Sequence, residues 1–359
     1  MMDGQGSPMR ISFRNDYSEG AHPRVLQAIA QASAEQSAGY GTDQHTARAT
    51  ALIRDAVAQP QAEVHLLVGG TQTNLIAISA FLRPHQAVIA VEAAHIATHE
   101  TGAIEATGHK VLTIAAPHDK LTPALIQPVL AVHDNEHMVQ PRLVYLSNST
   151  ESGTIYTHAE LDALSRFCRA HDLLLYLDGA RLGAALTADG NDLDLPTIAA
   201  LTDAFYIGGT KNGALLGEAL VIVNPALQAD LRYLIKQRGA LLAKGMVLGA
   251  QFAALFEDGL FFTLAAHANA MAQRLRTGLL AAGAQLSSDS PTNQQFVAFS
   301  AAQVEQLSQR YDFERWETRA DDQRVIRFVT SWATTTDAVD RLCADIAALL
   351  QSPASQDHR

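Results

Sequence analysis

Lysine is scarce in this 359-residue chain: only Lys110, Lys120, Lys211, Lys236 and Lys244 occur, and arginine supplies the rest of the 26 basic residues. Any chemistry that needs a primary amine therefore has a short list of side chains to draw on. Cysteine is scarcer still. Cys168 and Cys343 lie far apart in helical patterns ("LSRFCRA", "VDRLCADI") without metal-ligand spacing, which leaves two buried, reduced thiols as the expectation. No apolar run approaches the roughly 18 residues needed to span a bilayer, and the first 30 residues hold no apolar signal core. A cytoplasmic protein is the reading. Acidic residues exceed basic ones, and the net charge of −11 is spread without long acidic runs, which disfavours nucleic acid and anionic membrane as partners and points to a small molecule.

What remains is ample material for a core, with 48% hydrophobic and 18% charged residues. Short apolar runs at 63–68, 87–91, 111–114, 142–147, 173–178, 204–208 and 219–223 read as strands, and amphipathic stretches such as "TNLIAISAFL" alternate with them. Thr157 with Glu160 has the spacing of a helix-starting capping box. The alternation predicts an α/β fold, a mostly parallel seven-stranded sheet flanked by helices. After about residue 255 the pattern changes to a long Ala-rich helix, "QFVAFS", a helix, "ERWETR", "VIRFVT" and a last helix from Thr335, which reads as a small α+β domain. The division expected is an arm over 1–22, a large domain over 23–255, a small domain over 256–350 and a tail over 351–359. The terminal stretches 1–8 and 352–359 look disordered.

Among the lysines, Lys110 and Lys120 read as solvated residues at element ends, and Lys236 and Lys244 fall largely off the apolar face of a helical pattern. Lys211 differs, because it follows the strand "AFYIGG" directly, at the kind of strand end where α/β proteins place ligands. Two other turns have the same character. "LLVGGTQTNLIAI" is a strand, a Gly-Gly-Thr turn and a helix start that offers free N–H groups to an anion, although Gly and Thr also serve turns for geometry alone. In "LLLYLDGARLG", Asp178 closes an apolar strand with Arg181 three residues on; it reads either as a cap or local ion pair, or as a carboxylate that keeps a heterocyclic nitrogen protonated. An anion site, a buried acid and a strand-end amine together match what pyridoxal phosphate requires. His95, His99 and His109 lie between two strands, where a histidine can stack on an aromatic cofactor or move protons. "HDNEHM" at 133–138 sits in a polar connection without a further ligand set, so no metal is expected there; His22 stays unassigned.

The ordered motifs "FRNDYSEG", "GYGTD", "GGTQTN", "AAHIATHETGA", "TESGTIYT", "YLDGARLG", "IGGTKNG" and "VIRFVTSW" resemble the threonine aldolase and β-eliminating lyase group of fold-type I pyridoxal phosphate enzymes, over about residues 10–350. The resemblance implies that Lys211 forms the Schiff base with pyridoxal 5'-phosphate and that Asp178 partners the pyridine nitrogen. Gly70 and Thr71, with Thr210, would bind the phosphate; His95 would stack on the ring; Arg181 and Arg327 would hold the substrate carboxylate. It also implies a homodimer or homotetramer with active sites at the subunit interface. The chain departs from the better-known aldolases at three places: Asn15 stands where they carry serine, Glu151 where they carry histidine, and Lys244 near the position of an arginine that reaches the neighbouring subunit's phosphate. The activity implied is cleavage of a β-hydroxy-α-amino acid, L-threonine or L-allo-threonine, to glycine and an aldehyde, with Glu151 as a proton relay or a plain turn residue. The alternatives are β-elimination, an aryl-preferring phenylserine-type aldolase, and a catalytically inactive regulator or scaffold on the same fold.

Overall fold

The computed structural model describes residues 10–351, so the terminal stretches 1–8 and 352–359 lie outside the described residues. After a two-residue strand β1 (Ile11–Ser12), the seven apolar runs of the sequence become β2 (Glu63–Leu67), β3 (Gln86–Val91), β4 (Val111–Ile114), β5 (Gln140–Ser147), β6 (Leu174–Asp178), β7 (Ala204–Gly208) and β8 (Glu218–Ile222). They form one sheet in the order β2-β8-β7-β6-β5-β3-β4. Strands β3 to β7 pair in parallel, whereas β8 runs antiparallel to both its neighbours. The reversal has a simple cause: the 209–217 connection is shorter than the dozen or so residues that a parallel crossover requires. Strands β3, β6, β7 and β8 are buried along their whole length, as a sheet covered by helices on both faces demands.

A second sheet comprises β9 (Gln285–Leu286), β10 (Gln294–Phe299), β12 (Glu314–Thr318) and β13 (Arg324–Val329), all antiparallel in the order β12-β13-β10-β9, while the short strand β11 (Tyr311–Asp312) pairs with β1. It packs over a separate hydrophobic core that includes Phe13, Leu275, Val297, Phe328 and Leu342. The helix Leu260–Ala281 joins the two cores: Leu260, Phe261 and Leu264 belong to the first, Leu275 and Leu279 to the second. Together with the preceding helix, this stretch (Met246–Ala281) is long and apolar enough to cross a membrane by composition, contrary to the expectation from the sequence, but 61% of its most apolar window is buried inside the protein.

Other local expectations meet mixed outcomes. The Thr157–Glu160 capping box forms. Lys120 is not a solvated end residue: its ammonium pairs with Glu160 at 2.6 Å and sits 5.3 Å from the centre of the Tyr156 ring. Cys168 is a buried free thiol, but Cys343 is only half-buried. His133 accounts for part of the "HDNEHM" motif by bonding to the Val129 carbonyl at the end of the helix Pro123–Val132.

The parallel strands bring their carboxyl ends to one edge, and β8 begins at that same edge. Close approach there depends on glycine. A Cβ on Gly179, just past β6, would overlap the Tyr206 carbonyl oxygen, and one on Gly208 would overlap the Ala180 carbonyl oxygen. Both neighbours are backbone atoms and cannot swing aside. Gly179→Ala is expected to cost about 3 kcal/mol, as overpacking against a fixed neighbour does. Gly20→Ala, with no atom near its Cβ, should stay within about 0.5 kcal/mol of wild type, read by urea unfolding of both variants.

Candidate active site

Asp178 ends β6 and is buried. Its carboxylate is paid for by three donors: Ala180 N–H to Oδ1 at 3.0 Å, the Tyr145 hydroxyl to Oδ2 at 2.5 Å and Asn74 Nδ2 to Oδ2 at 3.0 Å. Burial and the Asp178 charge together push the Tyr145 phenol well above its ordinary range, which keeps it a donor. The local Asp178–Arg181 pair that the sequence left open does not form. Arg181 instead places Nε and Nη2 on the two oxygens of Asp16, at 2.8 and 3.0 Å, across 165 residues of sequence, and Asn293 Nδ2 donates to the same carboxylate at 2.9 Å. Burial raises the proton affinity of Asp16, but the charges of Arg181 and Lys211 outweigh it and hold its carboxyl below the usual range. Asn15, the adjacent residue, turns its Oδ1 to Tyr17 N–H and the Ser18 hydroxyl and so shapes the turn that presents Asp16.

Lys211 lies in the β7–β8 connection, which is fastened from several sides. Gly213 O accepts from His22 N–H at 2.9 Å, Asn212 Nδ2 donates to Phe261 O at 2.8 Å and Gln251 Oε1 accepts from Leu215 N–H at 2.8 Å. Thr210 closes the turn with its hydroxyl, which accepts from Gly217 N–H at 3.0 Å. Loss of hydration, and then the positive charge of Arg181, lower the pKa of the Lys211 amine despite the opposing charges of Asp16, Glu151 and Asp178. An amine so placed gives up its proton more readily than a solvated one, as a nucleophile must. Glu218, opposite Gly208 on one side and Leu67 on the other, is buried beside this turn; burial pushes its carboxyl up to about 8, and it accepts from Gly209 N–H at 3.1 Å.

The turn after β2 leads into the helix Gly70–Phe81, whose N-cap is Gly69 and which has no side-chain cap. Its first amides at Gly70 and Thr71 are thus free to meet an anion. A Cβ on Gly70 would stand 3.1 Å from the Tyr206 hydroxyl, so glycine lets the helix start pass close to that ring. From the end of β3, His95 reaches the site half-buried and donates Nδ1–H to Glu100 at 2.8 Å. Burial lowers its pKa, but the Glu100 bond and the charges of Glu151 and Asp178 reverse the direction, so the balance is upward.

Glu151, in the turn after β5, is buried. The turn closes without it: Thr150 N–H donates to Thr154 O, Gly153 N–H to Thr150 O and Thr154 N–H to Thr150 Oγ1, while Asp119 accepts from Ser152 N–H. Its charge instead acts on His95, Arg181, Lys211 and Arg327. Arg327 arrives from β13 with Nη1 on Gln294 Oε1 at 3.2 Å, its guanidinium 4.8 Å above the Trp316 ring, and a buried Nε without a partner. Burial, then the nearby charge of Arg181, lower its pKa.

Of the other residues singled out in the sequence, His109 is buried with Nδ1 on Gln86 O and is part of the packing, and His99 is exposed beside His95. His22 caps the helix Pro23–Ser33. Lys244 is exposed, and its segment packs against Tyr40 and Gly41 rather than joining the cluster around Lys211. Sequence reasoning missed Asp16, Asn74, Glu100 and Glu218. The signal for two of them was present as acids inside motifs already quoted, "FRNDYSEG" and "AAHIATHETGA"; Glu218 opens a later apolar run, and Asn74 looked like an ordinary polar helix residue.

The donor set suits a group that carries an anion, a basic ring nitrogen and a carbonyl, because a bare helix start, a fully satisfied buried carboxylate and a poised amine share one sheet edge. Comparisons with known proteins agree with that chemistry. The curated low specificity L-threonine aldolase of a Pseudomonas species is 36% identical over 344 residues, covering 95% of this chain and 98% of that one. Its counterpart from Pseudomonas aeruginosa is 34% identical, covering 94% and 97%. A solved threonine aldolase from Leishmania major is 50% identical, with a TM-score of 0.93 over 95% of this chain and 99% of that one. The model of the beta-eliminating lyase family matches residues 13–302, and the chain belongs to that family.

Proposed function

We propose that the protein is a pyridoxal 5'-phosphate-dependent lyase that cleaves β-hydroxy-α-amino acids, L-threonine or L-allo-threonine foremost, to glycine and an aldehyde. The observation that carries this reading is the meeting of buried Asp178, the low-pKa amine of Lys211 and the uncapped helix start at Gly70 on one sheet edge, in a chain similar to threonine aldolases along most of its length. When bound, the cofactor supplies the electron sink for the bond broken at Cα.

The chain's own residues do the rest. Lys211 would hold the cofactor covalently, Asp178 would partner its ring nitrogen, His95 would lie against its ring, and Gly70, Thr71 and Thr210 would bind its phosphate. Arg327, whose Nε has no partner, and Arg181, whose Nη1 lies outside its pair with Asp16, would hold the substrate carboxylate and so orient the bonds at Cα. Glu151 moves the proton of the β-hydroxyl. The separate cores support a large domain over 23–255 and a small one over 256–350. Exposed Tyr40, Leu215 and Tyr233 support a homodimer or homotetramer, in which Lys244 would serve a neighbouring subunit's phosphate. Two free thiols suit a cytoplasmic location.

A panel of β-hydroxy amino acids offered to the holoenzyme tests the reading. Aldehyde release from threonine isomers or phenylserine is expected; release from none of them overturns it. Borohydride reduction followed by peptide mapping should find the pyridoxyl group on Lys211, and a label on Lys236 or Lys244 instead would displace the central assignment. Arg327→Ala should raise KM by roughly 10- to 100-fold with kcat changed far less, the loss of a charge-assisted contact made in ground and transition states alike. Glu151→Gln should lower kcat by roughly 10²-fold while the variant still binds glycine, measured by its absorbance change. A stably folded variant with near-normal kcat would move the proton transfer to His95.

A further inference from the structure

Glu100 lies wholly out of solvent, and its Oε1 accepts two hydrogen bonds at once: from His95 Nδ1–H at 2.8 Å and from Asn74 Nδ2 at 2.8 Å. Asn74 Nδ2 also donates to Asp178 Oδ2 at 3.0 Å, while Asn74 Oδ1 receives the Tyr176 hydroxyl at 3.1 Å. Every polar atom of the Asn74 amide is thus committed, and turning the amide over would set its oxygen against two carboxylates. Glu100 Oε2 is buried without a partner. A buried carboxylate with an unused oxygen is expensive, and the donors that offset it here are His95 and Asn74.

We infer that Glu100 is a positioning residue: it fixes the His95 ring with Nδ1 as donor, leaves Nε2 as the ring atom that exchanges protons in the site, and through Asn74 ties that ring to Asp178. One carboxylate then sets two groups that meet the same cofactor, one at its ring face and one at its ring nitrogen. The assignment rests on the reading of the site given above. The charged groups around His95 come from every neighbouring element: Glu100 from its own segment, Glu151 after β5, Asp178 at the end of β6 and Lys211 after β7, with the His99 ring 5.5 Å away. Of these, Glu100 alone touches the imidazole through a hydrogen bond, and that bond is the largest of the influences that raise the His95 pKa.

Glu100→Gln separates charge from geometry, because the amide oxygen can still accept both bonds. Ring titration of His95 by NMR in isotope-labelled holoenzyme, assigned by comparison with His95→Gln, reads the effect without turnover. In Glu100→Gln the midpoint should fall by about one pH unit, with cofactor affinity close to wild type. Asn74→Ala should leave the midpoint raised but weaken pyridoxal phosphate binding by roughly tenfold, since Asp178 loses one of its three donors. An unchanged His95 midpoint in Glu100→Gln overturns the proposal, as does wild-type cofactor affinity in Asn74→Ala. Should the wild type release no aldehyde, the lyase reading fails, and the ring titration still decides what Glu100 does.

Discussion

Everything at this site depends on satisfying the Asp178 carboxylate, buried at the end of β6, with hydrogen bonds. A polar group moved out of water without partners is costly, and the chain offsets that cost with donors from three different elements. Those donors are themselves constrained. Tyr145 comes from β5, Asn74 from the helix after β2, and the Ala180 amide from the turn that the close passage of Gly179 past Tyr206 allows. The packing of the sheet edge and the electrostatics of the site are therefore one problem with one solution.

The same logic extends to the cations. Arg181 and Lys211 stand near enough to lower the affinity of the amine for its proton, an arrangement that would push the turn open were it not for Asp16, Glu151 and Asp178 in between. Asp16 is brought there by the N-terminal segment, which is anchored at β1, by Phe13 in the second core and by His22 on the Lys211 turn itself. The segment thus acts as a strap whose charge completes the site. Arg327 reaches the same group of charges from the antiparallel sheet, which explains why the two cores must be held in fixed relation by a helix that belongs to both.

The reversed strand β8 has a further effect. Because it inserts between β2 and β7, its first residue, Glu218, lies between the bare helix start and the lysine turn. A carboxyl in that place would repel a bound anion if it were ionised, and burial raises its proton affinity, which weakens that repulsion.

By itself the sequence determined the strands and the sheet-edge position of Lys211 and Asp178, because both signals are local: apolar runs of strand length, with a charged residue at the end of one and three residues past the end of another. The uncapped Gly-Gly-Thr helix start was equally legible, for the same reason. What tertiary structure alone decided was the partner of each charge. Arg181 faced a carboxylate three residues away in sequence but bonds to one 165 residues away, and the charge of Glu151 acts on four groups from other elements, His95, Arg181, Lys211 and Arg327. Asn74 gave no sign of its role, since its amide acts only where two carboxylates from separate parts of the chain, Glu100 in a turn and Asp178 at a strand end, converge. Strand formation follows from neighbours along the chain, whereas the satisfaction of a buried charge follows from neighbours in space, and those are fixed only when the sheet closes and water is excluded.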